Sequence, residues 1–266
     1  MTNLSISRAW DESKAVIARD GSLLTTIALA LFVLPGVISD IASPAAPAGQ
    51  MPKFGYWTVI TIIALIIALV GQLSVVGLAI GSDRTVGEAI RHGARRAPFY
   101  LAATLMWVLP VLVVALLVAG KVVGTAPNPS PIAAVALILL CVAAVWFAIR
   151  MLMTSPVASA EAVGPVQILR RSWQLTQGHW LRLFGFFVMV LIAAVVCVAA
   201  VTAIGGIVAN MLFGGTGPLT VGELVVALLV QIVSAAVSVI LMVMLARIYV
   251  QLSGEGAAVN VPKSGT

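Results

Sequence analysis

The run Val59-Ile60-Thr61-Ile62-Ile63-Ala64-Leu65-Ile66-Ile67-Ala68-Leu69-Val70 holds one hydroxyl and no charge in twelve residues. It does not alternate apolar and polar positions, as a strand of a membrane barrel must. It continues in both directions to cover about 55–80, and a helix of about 20 residues crosses the hydrocarbon of a bilayer. Inside lipid every backbone N–H and C=O has to be paired within the protein, which leaves helices or closed barrels. The run therefore predicts a transmembrane helix.

Five more runs of the same character lie at about 22–39, 98–119, 132–153, 182–208 and 222–249. The chain has 266 residues, 61% hydrophobic and 9% charged, against about 25% charged in a soluble domain. Turn-forming segments join the runs in pairs: Pro44 to Pro52, Pro127 to Pro131 and Gly214 to Pro218. The expected fold is all-α, a polytopic transmembrane helical bundle of about six spans arranged as three hairpins, with Pro110 inside the third span. Residues 1–254 form one transmembrane domain, and 255–266 a flexible tail.

Basic residues set the orientation. Arg8, Lys14, Arg19, Arg84, Arg91, Arg95, Arg96, Arg150, Arg170, Arg171, Arg182, Arg247 and Lys263 fall on one side, Lys53 and Lys121 on the other. Cytoplasmic loops carry the Lys/Arg excess, so both termini are expected in the cytoplasm, in a bacterial inner membrane. The net charge of +6 thus belongs to membrane anchoring, and no nucleic-acid partner is expected. Asp11, Glu12 and Asp20 make the first 21 residues unlike the basic start of a cleaved signal peptide. Cys141 and Cys197 fall mid-span without metal or CxxC spacing and read as small core residues.

An amphipathic segment precedes each hairpin. Ile6, Trp10 and Ile17 share one helical face; so do Val86, Ile90 and Ala97, with Glu88, Arg91, His92 and Arg95 opposite; so do Val166, Leu169 and Trp173, with Gln167, Arg171 and Gln174 turned away. These three elbows are expected to lie in the headgroup plane on the cytoplasmic side. Thr85-Val86-Gly87-Glu88 and Thr220-Val221-Gly222-Glu223 have capping-box spacing, and Gly164-Pro165 puts proline at a helix start. Arg91 and Arg170 are 79 residues apart (170 − 91), which suggests three elbow-plus-hairpin repeats at 3–82, 83–160 and 161–252.

Glu161-Ala162-Val163-Gly164-Pro165 followed by Leu169, Arg171-Ser172-Trp173, Leu175-Thr176, Gly178, Trp180 and Arg182-Leu183 resembles the pattern of the bacterial glycerophosphodiester phosphodiesterase membrane-domain family. The opening Ser7-Arg8-Ala9-Trp10-Asp11-Glu12-Ser13-Lys14 is similar to the start of that family and of related uncharacterised six-helix inner-membrane proteins. In some members a soluble phosphodiesterase barrel is fused to the membrane part. Spans and elbows account for this whole sequence, so the resemblance implies the membrane part alone and no phosphodiesterase reaction.

The chemistry-bearing residues are few. His92 and His179 form no HExxH pair, no G-x-S-x-G marks a nucleophile, and Gly214-Gly215-Thr216-Gly217 lacks the lysine of a phosphate loop. No catalytic residue, metal ligand or cofactor is expected. An anionic-headgroup site is the main candidate, formed by Arg170, Arg171, His179, Trp180 and Arg182, because guanidinium groups match phosphate geometry and basic pockets beside spans hold anionic lipids. Arg91, Arg95 and Arg96 form a second basic elbow. Within the spans the polar candidates are Gln72, Gln231 and Glu223, read as cross-helix hydrogen bonding and helix capping; Asp40, at the outer end of the first span, is expected to be solvated. The leading functional expectation is a non-catalytic scaffold or accessory protein whose partners are membrane lipids, anionic ones included, or another membrane protein or a second copy of itself. The alternative is a transporter or lipid-handling protein with a pathway between the hairpins, and an uncharacterised membrane enzyme is the weaker third.

Overall fold

The computed structural model describes residues 5–43, 54–81, 85–123, 131–213 and 220–254. The turn residues 44–52, 127–130 and 214–218, the tail 255–266, Lys53, Arg84 and Lys263 lie outside the described residues, as does the side chain of Lys121. Every described element is helical. The order is α1 (Ile6–Ala28), a π-helical turn (Leu29–Val33), α2 (Leu34–Ala42), α3 (Tyr56–Ile80), α4 (Val86–Val123), α5 (Pro131–Arg150), α6 (Thr154–Ala160), α7 (Pro165–Thr176), α8 (Trp180–Phe213) and α9 (Val221–Ser253). Among the described residues six helices are long and apolar enough to cross a membrane. The protein is a multi-pass membrane protein built as an all-α bundle.

The three elbows join their spans differently. The first runs straight into span one, with a bend at Asp20, whose φ and ψ of −109° and 15° leave the helical region. The second and its span are one 38-residue helix that passes through Pro98 and Pro110. Only the third stands apart: α7 ends at Thr176, and Gly178, at φ +80°, turns the chain into α8. Helix starts follow the sequence signals. Thr85 N–H donates to Glu88 Oε2 at 2.9 Å and Glu88 N–H to Thr85 Oγ1 at 3.4 Å; Glu223 N–H donates to Thr220 Oγ1 at 3.2 Å; α7 begins at Pro165.

The faces that pack against protein are offset from the apolar faces read from sequence. In the first elbow Ala9, Ser13 and Val16 are buried while Trp10 is 45% exposed. In the second, Ala89 and Ala97 are buried on either side of Gly93. A Cβ at Gly93 would come within 2.5 Å of Ser74 Oγ and 2.6 Å of the Val70 carbonyl, so only glycine lets α4 approach the α3 backbone this closely. In the third, Ile168, Ser172, Leu175 and Thr176 are buried and Val166 is exposed. Bulky apolar residues are as well placed against lipid tails as against protein, so hydropathy alone does not choose between these faces. Cys141 and Cys197, expected in the core, are both exposed on the outward sides of α5 and α8, for the same reason.

α3 and α9 pack together at the centre, with α1 and α4 beside them and α5 and α8 outermost. The buried part lies at one end. In α3 it covers Gly71 to Ala79, and in α9 mainly Val239 to Val250. α6, which follows the fourth apolar run of 132–153, is a separate buried segment: Thr154, Ser155, Pro156, Val157, Ala158 and Ser159 are all enclosed. It starts after a tight turn in which Thr154 Oγ1 donates to the Met151 carbonyl at 2.7 Å. The described basic residues of the elbows and helix ends collect at this same end, called the basic end below.

Candidate functional site

At the basic end the third elbow carries most of the polar structure. Glu161 precedes α7, and its Oε1 accepts from Arg171 Nε at 3.1 Å and from the Tyr249 hydroxyl at 2.9 Å. Tyr249 is fully buried on α9. One carboxylate thus ties the elbow to the last span. Arg171, expected to turn away from the protein, instead turns in to this pair, because a carboxylate held beside a buried hydroxyl needs a cation more than the headgroup plane does.

Arg150 ends α5 directly under α7. Its carbonyl accepts from Ser172 Oγ at 2.9 Å and Thr176 Oγ1 at 3.4 Å. Its guanidinium carbon sits 5.3 Å from the Trp146 ring and 5.0 Å from the Trp173 ring. The two indoles meet edge to face at 5.3 Å, and Phe147 joins Trp173 at 5.9 Å and Trp107 at 5.7 Å. Trp146 and Arg150 share a face of α5 because they are one turn apart. Ring faces attract the cation. They do not neutralise it: Arg150 Nε and Nη1 are buried and meet no hydrogen-bond acceptor, and among the described residues no carboxylate pairs with this side chain.

The other predicted residues scatter around this centre. Arg170 is exposed, one face round from Ser172. His179 Nδ1 lies 3.2 Å from the Gln177 carbonyl in the turn. Trp180 stacks on Phe184 at 5.3 Å, and its buried Nε1 meets no acceptor. Arg182 is exposed at the start of α8. In the second elbow Arg91 and Arg95 are exposed and Arg96 is half-buried. His92, read as facing outward, is drawn inward: its Nε2 is 2.8 Å from the Ser159 carbonyl on α6, and Ser159 Oγ donates to the Leu73 carbonyl at 3.0 Å.

Both intramembrane amides bond across helices. Gln72 Nε2 donates to the Tyr100 hydroxyl at 3.2 Å. Gln231 Nε2 donates to Asp40 Oδ2 at 2.7 Å, so Asp40 is engaged by α9 rather than left to solvent alone. Glu223 sits in the first turn of α9, where its backbone N–H bonds the Thr220 cap. Among the described residues no three His, Cys, Asp or Glu side chains gather.

The sequence reading treated Arg150 as one more arginine at a helix end and passed over Glu161, Tyr249, Trp146 and Trp173 as site residues. The Trp146/Arg150 one-turn spacing was a usable signal; the arrival of Trp173 from another helix was not. A family model described as a domain of unknown function (DUF7847) matches residues 4–252. No curated protein and no solved structure matches the chain.

Proposed function

The chain belongs to the DUF7847 family, a domain of unknown function, and from that premise we propose that it is a non-catalytic membrane scaffold or accessory protein that holds an anionic lipid headgroup at its basic end. The basic end faces the cytoplasm of a bacterial inner membrane in this reading, on the excess of Lys and Arg there.

The observation that carries it is Arg150. A cation that is partly withdrawn from water and has no carboxylate partner is costly unless an anion compensates it. The two indoles hold the guanidinium in one orientation, and Arg170 and Arg182 stand exposed on the neighbouring helices. A phosphate of the adjacent leaflet supplies the missing negative charge, and arginine is suited to it geometrically. Arg171 contributes less, since Glu161 already engages it.

A transport pathway along the bundle axis is the weaker reading. At the basic end α3 and α9 meet through buried apolar residues, Leu73 with Met244 and Val76 with Val243 in the same packed clusters, and this apolar contact argues against a polar route there.

Native mass spectrometry after gentle detergent extraction tests the proposal. The wild-type protein is expected to carry an anionic phospholipid, Arg150→Gln to lose it, and Arg171→Ala to keep it. An unselective lipid mixture on all three proteins overturns the site. Loss of a co-purifying protein from Arg150→Gln, with lipid unchanged, replaces the lipid with a protein partner.

A further inference from the structure

A second site lies at the opposite end of the bundle. The π-helical turn, α2, α3 and α9 line an open cleft of about 310 Å³, which is within the range of small-ligand pockets. Ser39, Thr61, Gln231, Ser234 and Ser238 line it, together with small and apolar residues of α3. The Ser39 hydroxyl is buried there and meets no partner. At its rim Asp40 Oδ2 takes the Gln231 amide hydrogen.

The backbone is shaped around this cleft. Pro35 has no N–H to offer the preceding turn, and its ring crowds the carbonyl four residues back. The turn Leu29–Val33 answers by widening to π-helical register, a local form that recurs at functional sites. Gly36 then passes Gln231 so closely that a Cβ would meet Oε1 at 2.5 Å. The amide is thereby held between Gly36 and Asp40.

Depth follows from helix length. Asp20 and Asp40 are 20 residues apart and Gln231 and Arg247 are 16 apart, about 30 Å and 24 Å of helix axis respectively. The pair therefore sits at the far edge of a hydrocarbon layer about 30 Å thick. The described side chains of Lys and Arg all belong to elbows and helix ends at the other face. A carboxylate at the lipid boundary, oriented by an amide donor on one oxygen, is suited to a positively charged partner.

We propose that this cleft binds the ammonium headgroup of an amino-phospholipid, with Asp40 as its counter-charge, Gln231 orienting the carboxylate, and the hydroxyls of Ser39 and Ser234 bonding the phosphate and glycerol oxygens below it. The inference is independent of the anionic site, which lies at the other end and uses different residues.

The test uses the full-length protein in nanodiscs of equal parts phosphatidylethanolamine and phosphatidylcholine, with bound lipid read by native mass spectrometry. Wild type is expected to retain phosphatidylethanolamine preferentially. Asp40→Asn is expected to reduce that preference about tenfold, the equivalent of one lost charge contact, and Ser39→Ala to reduce it less. Equal retention of the two lipids by wild type, or an unchanged preference in Asp40→Asn, overturns the proposal. Should Asp40→Asn fail to fold, Asp40→Ser, which also removes the charge, carries the same comparison, and Asp40→Glu is expected to retain the preference. Arg150→Gln is expected to leave this preference intact, so the failure of one site is separable from the failure of the other.

Discussion

Leu183 and Ile204 stand on the same helix in opposite surroundings. Leu183, at the basic end of α8, is 0% exposed among side chains of several helices, whereas Ile204, near the other end, is 63% exposed. The contrast holds across the molecule. At the basic end α6 and α7 fill the spaces between spans, and polar side chains bond across helices through Glu161, Ser159, Ser172 and Gln72. At the other end the described helices turn apolar side chains outward, and Gln231 with Asp40 is the described side-chain bond that joins two of them. Lipid tails are as apolar as leucine, so sequestering leucine gains little in a membrane. Close contact and hydrogen bonding hold such a bundle, and here both are concentrated at one end.

That contrast can be broken by substitution, most strongly where two backbones meet. Gly93→Leu places a side chain against the Val70 carbonyl and is expected to cost at least about 3 kcal/mol, since neither helix can move freely. Gly206, with nothing within 4 Å of its Cβ position, should accept leucine with almost no change. Unfolding in mixed micelles measures both, and equal losses would mean that the two ends are packed alike.

A smaller effect comes from truncation on α8 itself. Leu183→Ala is expected to destabilise by about 2–3 kcal/mol because the cavity cannot collapse, while Ile204→Ala, whose side chain lipid replaces, stays below about 1 kcal/mol. Thermal unfolding in detergent separates them; a larger shift for Ile204→Ala would place a protein partner on that outward face.

Hydrogen bonds should matter less than packing. Tyr249→Phe removes the hydroxyl from Glu161 and is expected to cost about 1 kcal/mol. In a double-mutant cycle with Arg171→Gln the two effects should be non-additive, since both side chains bond one oxygen; strict additivity would mean that Glu161 does not join them. The smallest change is at the far end. Asp40→Asn is expected to alter stability by no more than about 0.6 kcal/mol, the typical worth of a cross-helix bond in a membrane, even where it changes lipid preference. A large loss of stability there would make the Gln231 contact a structural tie of the same rank as those at the basic end.

The spans were legible because hydropathy reports the solvent that a whole segment meets. The starts at Thr85, Pro165 and Thr220 were legible because caps act within four residues of chain. The faces were not. Trp10 lies on the apolar stripe of the first elbow and is exposed, while Ala9 and Ser13 beside that stripe do the packing; His92 and Arg171 were placed on the polar faces and turn in. In water an apolar stripe marks the side that meets protein, but in a bilayer both sides of a helix can be apolar, and small residues mark the contact instead.

By itself the sequence determined that this chain is a helical membrane protein of six spans, since the backbone must satisfy its own hydrogen bonds in lipid and the apolar runs have the length to cross it. The tertiary structure alone decided that Trp173 closes on Arg150, that Glu161 joins Arg171 to Tyr249, and that Asp40 meets Gln231 from 191 residues away. Those pairings depend on which helix lies beside which, and in a medium as apolar as the protein interior that choice rests on the fit of surfaces, which no single segment carries.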